Sequence, residues 1–333
     1  MDIKKIDKNM QDSKSNIHST KYISLNNNFL EGRAFPNGFC RLSQDANISA
    51  AVTLLSKCPA GMSISFKTDS QFIKIKASLA GGAYMSHMTS VATIGFDIYL
   101  KEDNKYTFLN CTKVMTKDYD VVLLTNLDKK MREYKLYFPL YQQLNEAYVG
   151  IDEKSSFAFE KVKGKAIVAY GTSITQGGCA SRPGMAYTSI IARETGYNVI
   201  NLGFSGSCKL EENMAKELNK IDYELLILEL EANSPSLEYM KNKLTTFLSI
   251  LNKKTPIILI SHFFDSMSLV KASLNTERLD YETLQKQIPG VQFISGTSLL
   301  DDSEGTVDGV HLSDLGFNIV AHKLVKEINK YDL

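Results

Sequence analysis

The sequence predicts two consecutive domains, an antiparallel β-sandwich followed by a three-layer α/β domain built on a parallel sheet. Two observations support this prediction. Short strands of alternating apolar and polar residues fill the first half, with turn residues between them. From about residue 160, apolar strands alternate with amphipathic helices, which is typical of a parallel sheet covered on both faces. The predicted ranges are 28–158 for the sandwich and 159–333 for the α/β domain.

The first half is dominated by strand patterns. Residues 1–27 are polar without a sustained period, so we expect a lead-in or an edge extension there. Residues 62–68 and 72–77 alternate strictly, which predicts one face toward a core and one toward water. No helix of useful length is expected, and the pattern suggests a jelly-roll sandwich. Further strands are predicted at 93–101, 106–114, 120–125, 133–138 and 147–151.

The second half repeats a strand and a helix in turn. Its strands are short and apolar, as expected for a sheet buried on both faces. Its helices have apolar residues on one face and capping residues at their ends. The predicted strands are 166–170, 198–202, 224–230, 256–261 and 291–294, and the predicted helices are 183–194, 211–220, 236–251, 276–288 and 313–329.

Composition excludes several classes of function. Lysine plus arginine (38) nearly balance aspartate plus glutamate (37), so the formal net charge of +1 is too small to attract nucleic acid or an anionic membrane. No segment approaches the roughly 18 apolar residues of a membrane span, and the start lacks a secretory signal pattern. The five cysteines are widely spaced, so we expect a cytoplasmic protein without disulfides or a zinc site. Neither a metal nor an organic cofactor is expected.

A serine follows the first predicted strand of the α/β domain. The strand at 166–170 runs into Gly171-Thr172-Ser173. Open parallel sheets bind ligands at the carboxyl ends of their strands, which makes Ser173 a candidate nucleophile. The alternative is that Thr172 and Ser173 only form a turn and cap the next helix.

A base for this serine is found near the end of the chain. An activated serine needs a base and a group that orients the base. Asp308 precedes His311 by three residues in a loop that enters the last helix, so its carboxylate can turn onto the imidazole. The alternative is an Asp-Gly turn with an exposed histidine.

Two further stretches could supply oxyanion donors. The glycine-rich residues 201–207 follow the second strand, and Asn233 follows the third. Glycine lets backbone N–H groups approach a ligand, and an asparagine amide can donate to a developing oxyanion. A tight turn and a helix cap are the alternatives. The four elements in this order are more specific than any one of them.

These residues resemble the SGNH hydrolases, also called GDSL-like lipases and acylhydrolases. Gly171-Thr172-Ser173 stands where that family has Gly-Asp-Ser. The resemblance implies a flavodoxin-like catalytic domain in which Ser173 is the nucleophile and His311 and Asp308 complete a triad. It further implies an oxyanion hole formed by Ser173, Gly206 and Asn233.

The resemblance extends to the first half of the chain, and Thr172, Glu231 and, more mildly, Leu312 depart from it. Gly95-Phe96-Asp97-Ile98-Tyr99 is similar to the Gly-x-Asp-Leu-Tyr signature of the sandwich domain that precedes one SGNH subfamily. Thr172 replaces the usual aspartate, which takes no part in the triad. Glu231 stands in a block that normally contains glycine, which puts the shape and charge of the acyl pocket in question.

The resemblance implies a serine esterase acting through an acyl-Ser173 intermediate. The expected substrate is a small-molecule or glycan ester, with acetyl as the acyl group and a sugar or other polyol as the alcohol. Arg182 could bind a substrate carboxylate or carbonyl, although a surface arginine is an equal alternative. His87 lies in a loop that the sandwich could present to the catalytic mouth, and Glu231 is a third candidate for substrate binding.

Three other functions remain open from sequence. The first is an acyltransferase that uses the same triad. The second is a thiol enzyme using Cys179 or Cys208, both of which lie in loops at the expected edge of the sheet. The third is a carbohydrate-binding sandwich joined to an inactive hydrolase domain. The sequence does not indicate an oligomeric state.

Overall fold

The first half of the chain forms two antiparallel sheets packed face to face. The structure is a computed structural model that describes residues 6–7, 10–14, 19–162, 164–252, 254–263 and 266–333. Its sheets have the strand orders β1-β9-β4-β7 and β10-β3-β8-β5-β6, with β2 paired to β3. The strands are β1 Thr20–Ser24, β2 Leu30–Glu31, β3 Ser63–Thr68, β4 Ile73–Leu79, β5 Asp97–Glu102, β6 Lys105–Cys111, β7 Asp118–Leu124, β8 Arg132–Tyr137, β9 Leu144–Asp152 and β10 Phe157–Phe159.

This arrangement confirms the predicted sandwich and modifies it in three places. β1 lies inside the predicted lead-in 1–27 and pairs with β9 as an edge strand. Two short helices, α1 Ala50–Ser56 and α2 Ser90–Ile94, interrupt the strands. The strand predicted from residue 93 therefore begins later, because Thr89 caps α2 by accepting a hydrogen bond from the Ala92 N–H at 3.0 Å.

The strict alternation in β3 does not expose one face to water. Ser63 and Ser65 are buried, as are the apolar residues between and beyond them. The sheet that contains β3 lies against the second domain, and the Tyr137 hydroxyl on β8 donates to the Ser189 carbonyl there at 3.3 Å. The second domain therefore covers part of the outer face of this sheet.

The second half is a five-stranded parallel sheet with helices on both faces, as predicted. The strand order is β12-β11-β13-β14-β15, the flavodoxin-like order in which the first strand lies between the second and third. The strands are β11 Ala166–Gly171, β12 Asn198–Gly203, β13 Leu225–Glu229, β14 Ile257–Ile260 and β15 Gln292–Ile294. The helices are α3 Ser173–Gln176, α4 Tyr187–Thr195, α5 Glu212–Asn219, α6 Leu237–Ile250, α7 Ala272–Lys286, α8 Gly296–Leu299 and α9 Asp314–Ile328.

Successive residues of β11 point to opposite layers. Ile167 and Ala169 pack in the cluster formed with α4 and α9. Val168 and Tyr170 pack in the cluster formed with α5, α6 and α7. The strand is buried on both faces for this reason, and its carboxyl end is held rigidly between two layers.

The two domains share a hydrophobic core. Ala60, Ala92 and Leu140 from the first half belong to the same buried cluster as Ile174 in α3. Arg41, also from the first half, is buried and donates to the Gly203 carbonyl at 2.6 Å. The sandwich, called the β domain below, therefore packs directly against the region that carries Ser173.

Two general properties follow from the described residues. No helix among them combines the length and apolar character needed to cross a membrane. All five cysteines fall within the described part of the chain, and each is a free thiol.

Candidate active site

Ser173 occupies a tight turn between β11 and α3. The Thr172 side chain caps α3 by accepting a hydrogen bond from the Ile174 N–H at 3.2 Å. A Cβ atom at Gly171 would lie 2.1 Å from the Thr175 hydroxyl, so only glycine fits at the end of β11. Ser173 is 7% exposed, so only a small part of it is accessible to solvent.

The predicted triad is assembled in the structure. Ser173 Oγ lies 2.9 Å from His311 Nε2, and His311 Nδ1 lies 2.7 Å from Asp308 Oδ2. The second oxygen of Asp308 accepts the N–H groups of His311 at 2.8 Å and Val310 at 3.1 Å. These backbone contacts fold the loop into a tight turn, so the Asp308 carboxylate reaches the imidazole of His311 although only three positions separate the two residues.

The environment of Asp308 fixes the roles of the two imidazole nitrogens. Partial burial opposes its ionisation, but hydrogen bonds from the side chain and backbone of His311 and from the Val310 N–H lower the pKa of Asp308 below its usual value. The carboxylate is therefore an acceptor for Nδ1–H, which assigns the proton of His311 to that nitrogen. Nε2 is left to accept the proton of Ser173.

The loops that carry the predicted oxyanion donors meet the nucleophile turn. The Ser205 N–H donates to Gln176 on α3 at 2.9 Å, which anchors the loop of Gly206 beside Ser173. Gly206 has φ +65°, a conformation that glycine adopts without strain. The side-chain oxygen of Asn233 accepts the Cys208 N–H at 3.2 Å, which leaves its NH₂ group to donate elsewhere.

A buried glutamate, which was not predicted from the sequence, supports the nucleophile turn. Glu229 Oε2 accepts the Thr172 N–H at 3.0 Å, the Thr172 hydroxyl at 2.6 Å and the Thr175 hydroxyl at 3.1 Å. Burial raises the pKa of Glu229 to about 7, although these donors oppose the shift. Threonine at position 172 suits this partner, whereas an aspartate there would repel it. The sequence signal for this role was the position of Glu229, a single charged residue at the end of an otherwise apolar strand.

The β domain forms the other wall of the site. The rings of His87 and His311 have centroids 5.9 Å apart, so the predicted position of His87 at the catalytic mouth is observed. The Tyr141 hydroxyl donates to the Ser173 carbonyl at 3.3 Å. Tyr141 was not singled out from the sequence, because nothing local shows which surface its segment meets.

Comparisons with known proteins identify the family. The sequence profile of the GDSL-like lipase/acylhydrolase family matches residues 164–329, and that of GxDLY, the N-terminus of SGNH-hydrolase-type esterases, matches residues 20–157. A crystal structure assigned as a GDSL-like lipase from Bacteroides ovatus ATCC 8483 is 32% identical, spans 93% of this chain and 97% of its own, and has a TM-score of 0.87. The chain belongs to the GDSL-like lipase/acylhydrolase family. As a member of it, the protein is a carboxylic ester hydrolase.

Two more distant structures share the fold of this hydrolase. The salicylyl-acyltransferase SsfX3 from a tetracycline biosynthetic pathway is 15% identical over 94% of this chain and 98% of its own, with a TM-score of 0.69. A family two carbohydrate esterase from Clostridium thermocellum in complex with cellohexaose is 15% identical over 81% and 92%, with a TM-score of 0.56. A search of curated proteins gave no match.

Arg182 of the hydrolase does not have the substrate-binding position considered from sequence. Its guanidinium pairs with Asp97 Oδ2 at 2.8 Å, contacts the Tyr99 hydroxyl and lies 3.8 Å from the centroid of the Phe108 ring. Burial raises the pKa of the Asp97 carboxyl, and the charge of Arg182 opposes that shift. Arg182 therefore joins its loop to the Gly-x-Asp-Leu-Tyr strand of the β domain, where its positive charge is paired with Asp97.

Glu231 lines a cleft beside His311. Its Oε2 accepts the His262 N–H at 3.0 Å and the Gln285 amide at 2.8 Å, and burial raises the pKa of Glu231 to about 7. The cleft measures about 260 Å³, and Val310, next to His311, also lines it. The wall includes further polar and charged residues, namely Ser234, His262, Ser268, Glu277, Arg278 and Tyr281.

The two cysteines considered as nucleophiles do not suit that role. Burial and the nearby Asp308 raise the pKa of Cys179 to about 12. Burial likewise raises the pKa of the Cys208 thiol well above its usual value. Both remain thiols near neutral pH, whereas thiol catalysis requires the thiolate.

Proposed function

We propose that this hydrolase removes a small acyl group, acetyl, from a carbohydrate or another polyol through an acyl-Ser173 intermediate. The observation that supports the mechanism is the continuous hydrogen-bond chain from Ser173 through His311 to Asp308. This chain supplies a nucleophile, a base and an orienting carboxylate at the carboxyl end of the sheet.

The acylation step follows from these positions. His311 Nε2 takes the proton of Ser173 as Oγ forms a bond to the carbonyl carbon of the ester. The N–H groups of Ser173 and Gly206 and the side chain of Asn233 bind the resulting oxyanion. When the intermediate collapses, the bond from carbon to the alcohol oxygen breaks and His311 returns the proton to that oxygen. A water molecule, activated in the same way, then releases the acid.

The space around Ser173 supports a small acyl group. A Cβ atom at Gly178 would lie 2.9 Å from the Tyr141 hydroxyl and 3.2 Å from the His311 ring. The wall of the site is therefore closed at this point, which favours a short acyl chain. Acetyl is the acyl group that needs the least room.

The cleft beside His311 supports a polar alcohol. Its carboxylates, hydroxyls and guanidinium can form hydrogen bonds with the hydroxyl groups of a sugar. An alkyl chain in the cleft would leave these polar groups without hydrogen-bond partners. The carbohydrate esterase that shares this fold binds cellohexaose, and the proposal extends that substrate class to this chain. Within the cleft, Glu231 is held by His262 and Gln285 and would present its remaining oxygen to a hydroxyl. His87 would contact the same alcohol from the β domain.

Replacement of the nucleophile tests the reaction. Ser173→Ala should lower kcat on 4-nitrophenyl acetate by at least about 10⁴-fold without changing the unfolding midpoint. Ser249→Ala, an exposed change on α6, is the matched control and should keep activity. Turnover by Ser173→Ala within tenfold of the wild type would overturn the assignment.

A substrate series tests the specificity. The value of kcat/KM should fall from acetyl to butyryl to octanoyl esters, and acetylated saccharides should release acetate. A preference for octanoyl esters would contradict the small acyl site. Transfer of the acyl group to an added alcohol in preference to water would show an acyltransferase, and no turnover of any ester by the wild type would favour a binding protein.

A further inference from the structure

Four side chains with metal-binding atoms converge at the mouth of the active site. His87 comes from the β domain, Cys179 from the loop after α3, and Asp308 and His311 from the loop before α9. One donor atom from each of the four lies within 4.8 Å of the other three. We call these residues the mouth cluster.

The triad explains only half of the mouth cluster. Ester hydrolysis uses His311 and Asp308, whereas neither His87 nor Cys179 is needed to activate Ser173. Cys179 is 7% exposed and has φ +70°, a left-handed conformation that a cysteine rarely adopts. The packed loop thus holds its side chain against the triad at a cost in backbone strain.

The donor set matches the preferences of zinc. Zn²⁺ binds sulfur and imidazole nitrogen, often with a carboxylate oxygen, in tetrahedral geometry at about 2.0–2.3 Å. A thiolate and a carboxylate together balance the charge of the ion, and two neutral imidazoles complete four ligands. Tetrahedral bonds of that length place the donors roughly 3.3–3.8 Å apart. The donor atoms of the mouth cluster lie up to 4.8 Å apart, so they would approach one another by about 1 Å, and bonds to the ion would replace the 2.7 Å hydrogen bond between His311 and Asp308.

We propose that the mouth cluster binds one Zn²⁺ ion and that this ion inhibits the hydrolase reversibly. Four protein ligands close the coordination sphere and leave no position for an activated water, so the ion would have no catalytic role in the site. Binding releases the thiol proton of Cys179 to solvent. It also takes Asp308 and His311 out of the triad, and Ser173 then loses its base. Because His87 belongs to the β domain, the ion would in addition tie the two domains together across the mouth.

Inhibition by zinc gives the first test. Chelator-treated enzyme should lose esterase activity as zinc chloride is added and regain it with EDTA. Each variant is compared with its own metal-free activity. His87→Gln and Cys179→Ser should each raise the half-inhibiting zinc concentration by at least about tenfold, because each removes a direct ligand and loss of an outer-shell partner alone costs about 10- to 100-fold in metal affinity. His322→Gln and Cys111→Ser, which replace the same residue types elsewhere, should leave it unchanged.

Direct binding to Ser173→Ala gives a second test that does not need activity. This variant keeps all four ligands, so calorimetry should show one zinc per chain. Zinc should also raise its unfolding midpoint, because the ion binds the folded state. The combination Ser173→Ala/Cys179→Ser should lose most of this shift. Equal inhibition of all variants, or no binding to Ser173→Ala, would overturn the proposal whether or not the esterase assignment holds.

Discussion

The two sides of Ser173 differ in how the chain builds them. On the catalytic side, Asp308, His311 and Asn233 stand on loops of the α/β domain, and the proposed mechanism uses them as orienting carboxylate, base and oxyanion donor. On the docking side, Asp97 and Tyr141 belong to the β domain and hold the site in place. The difference indicates that changes on the catalytic side should lower turnover, whereas changes on the docking side should lower the free energy of unfolding.

The largest effect should come from Asp308 on the catalytic side. Asp308→Asn removes the negative charge that orients His311 and stabilises its imidazolium, so kcat/KM should fall by about 10⁴-fold. The unfolding midpoint should change little, because the side chain is 38% exposed. Asp301→Asn, an exposed change in the same loop, is the control. A loss of less than tenfold would remove Asp308 from the triad.

Asn233 should have the next largest effect. Asn233→Ala removes one oxyanion donor and should lower kcat by about 100- to 1,000-fold with little change in KM. Asn242→Ala, on the exposed face of α6, should keep full activity. A raised KM with unchanged kcat would mean that Asn233 binds the substrate instead of the transition state.

Asp97 tests the docking side. Asp97→Ala leaves Arg182 without its buried partner and should lower the free energy of unfolding by about 3 kcal/mol, measured by denaturant titration. The folded protein should keep kcat/KM within about tenfold of the wild type. Adding Arg182→Met removes the unpaired charge and should restore part of the stability. A double variant that is no more stable than Asp97→Ala would contradict this reading of the ion pair.

A further effect should be a change in the pH dependence of stability. Glu229 and Glu231 have pKa values raised from 4.5 to about 7, so the folded state holds more protons than the unfolded state between these limits. Their contribution to stability is complete below pH 4.5 and is lost as the pH rises through about 7. Glu229→Gln and Glu231→Gln should each reduce that loss, and the double variant should reduce it further. A double variant that loses as much stability as the wild type from pH 5 to pH 8 would contradict the assignment.

The catalytic side could be predicted from sequence because its geometry is local. A residue that follows a parallel strand must lie at the carboxyl edge of the sheet, and Ser173 and Asn233 both follow strands. Asp308 reaches His311 within one turn of loop. The strand and helix patterns of both domains were recognisable for the same reason, since periodicity reports which face of an element is buried.

Apart from the position of His87, the docking side could not be predicted, because it depends on how two domains meet. Arg182 follows the nucleophile by nine residues, but its loop turns toward Asp97 on the β domain. The sequence of β3 alternates like that of a strand with one face in water, but its polar residues are buried in the complete fold. The contacts of Glu229 could not be predicted either, since its partners Thr172 and Thr175 belong to the turn and helix that follow a different strand. Cys179 and Asp308 are far apart in the sequence, and only the folded chain brings them close together.

The reaction of the protein with a fluorophosphonate tests the central claim most directly. This reagent forms a stable adduct with a serine that is activated by a neighbouring histidine. Mass spectrometry should find one adduct per chain, on the peptide that contains Ser173, and Ser173→Ala should remain unlabelled. An adduct on another residue, or an unreactive wild-type protein that is folded and metal-free, would contradict acyl transfer through Ser173.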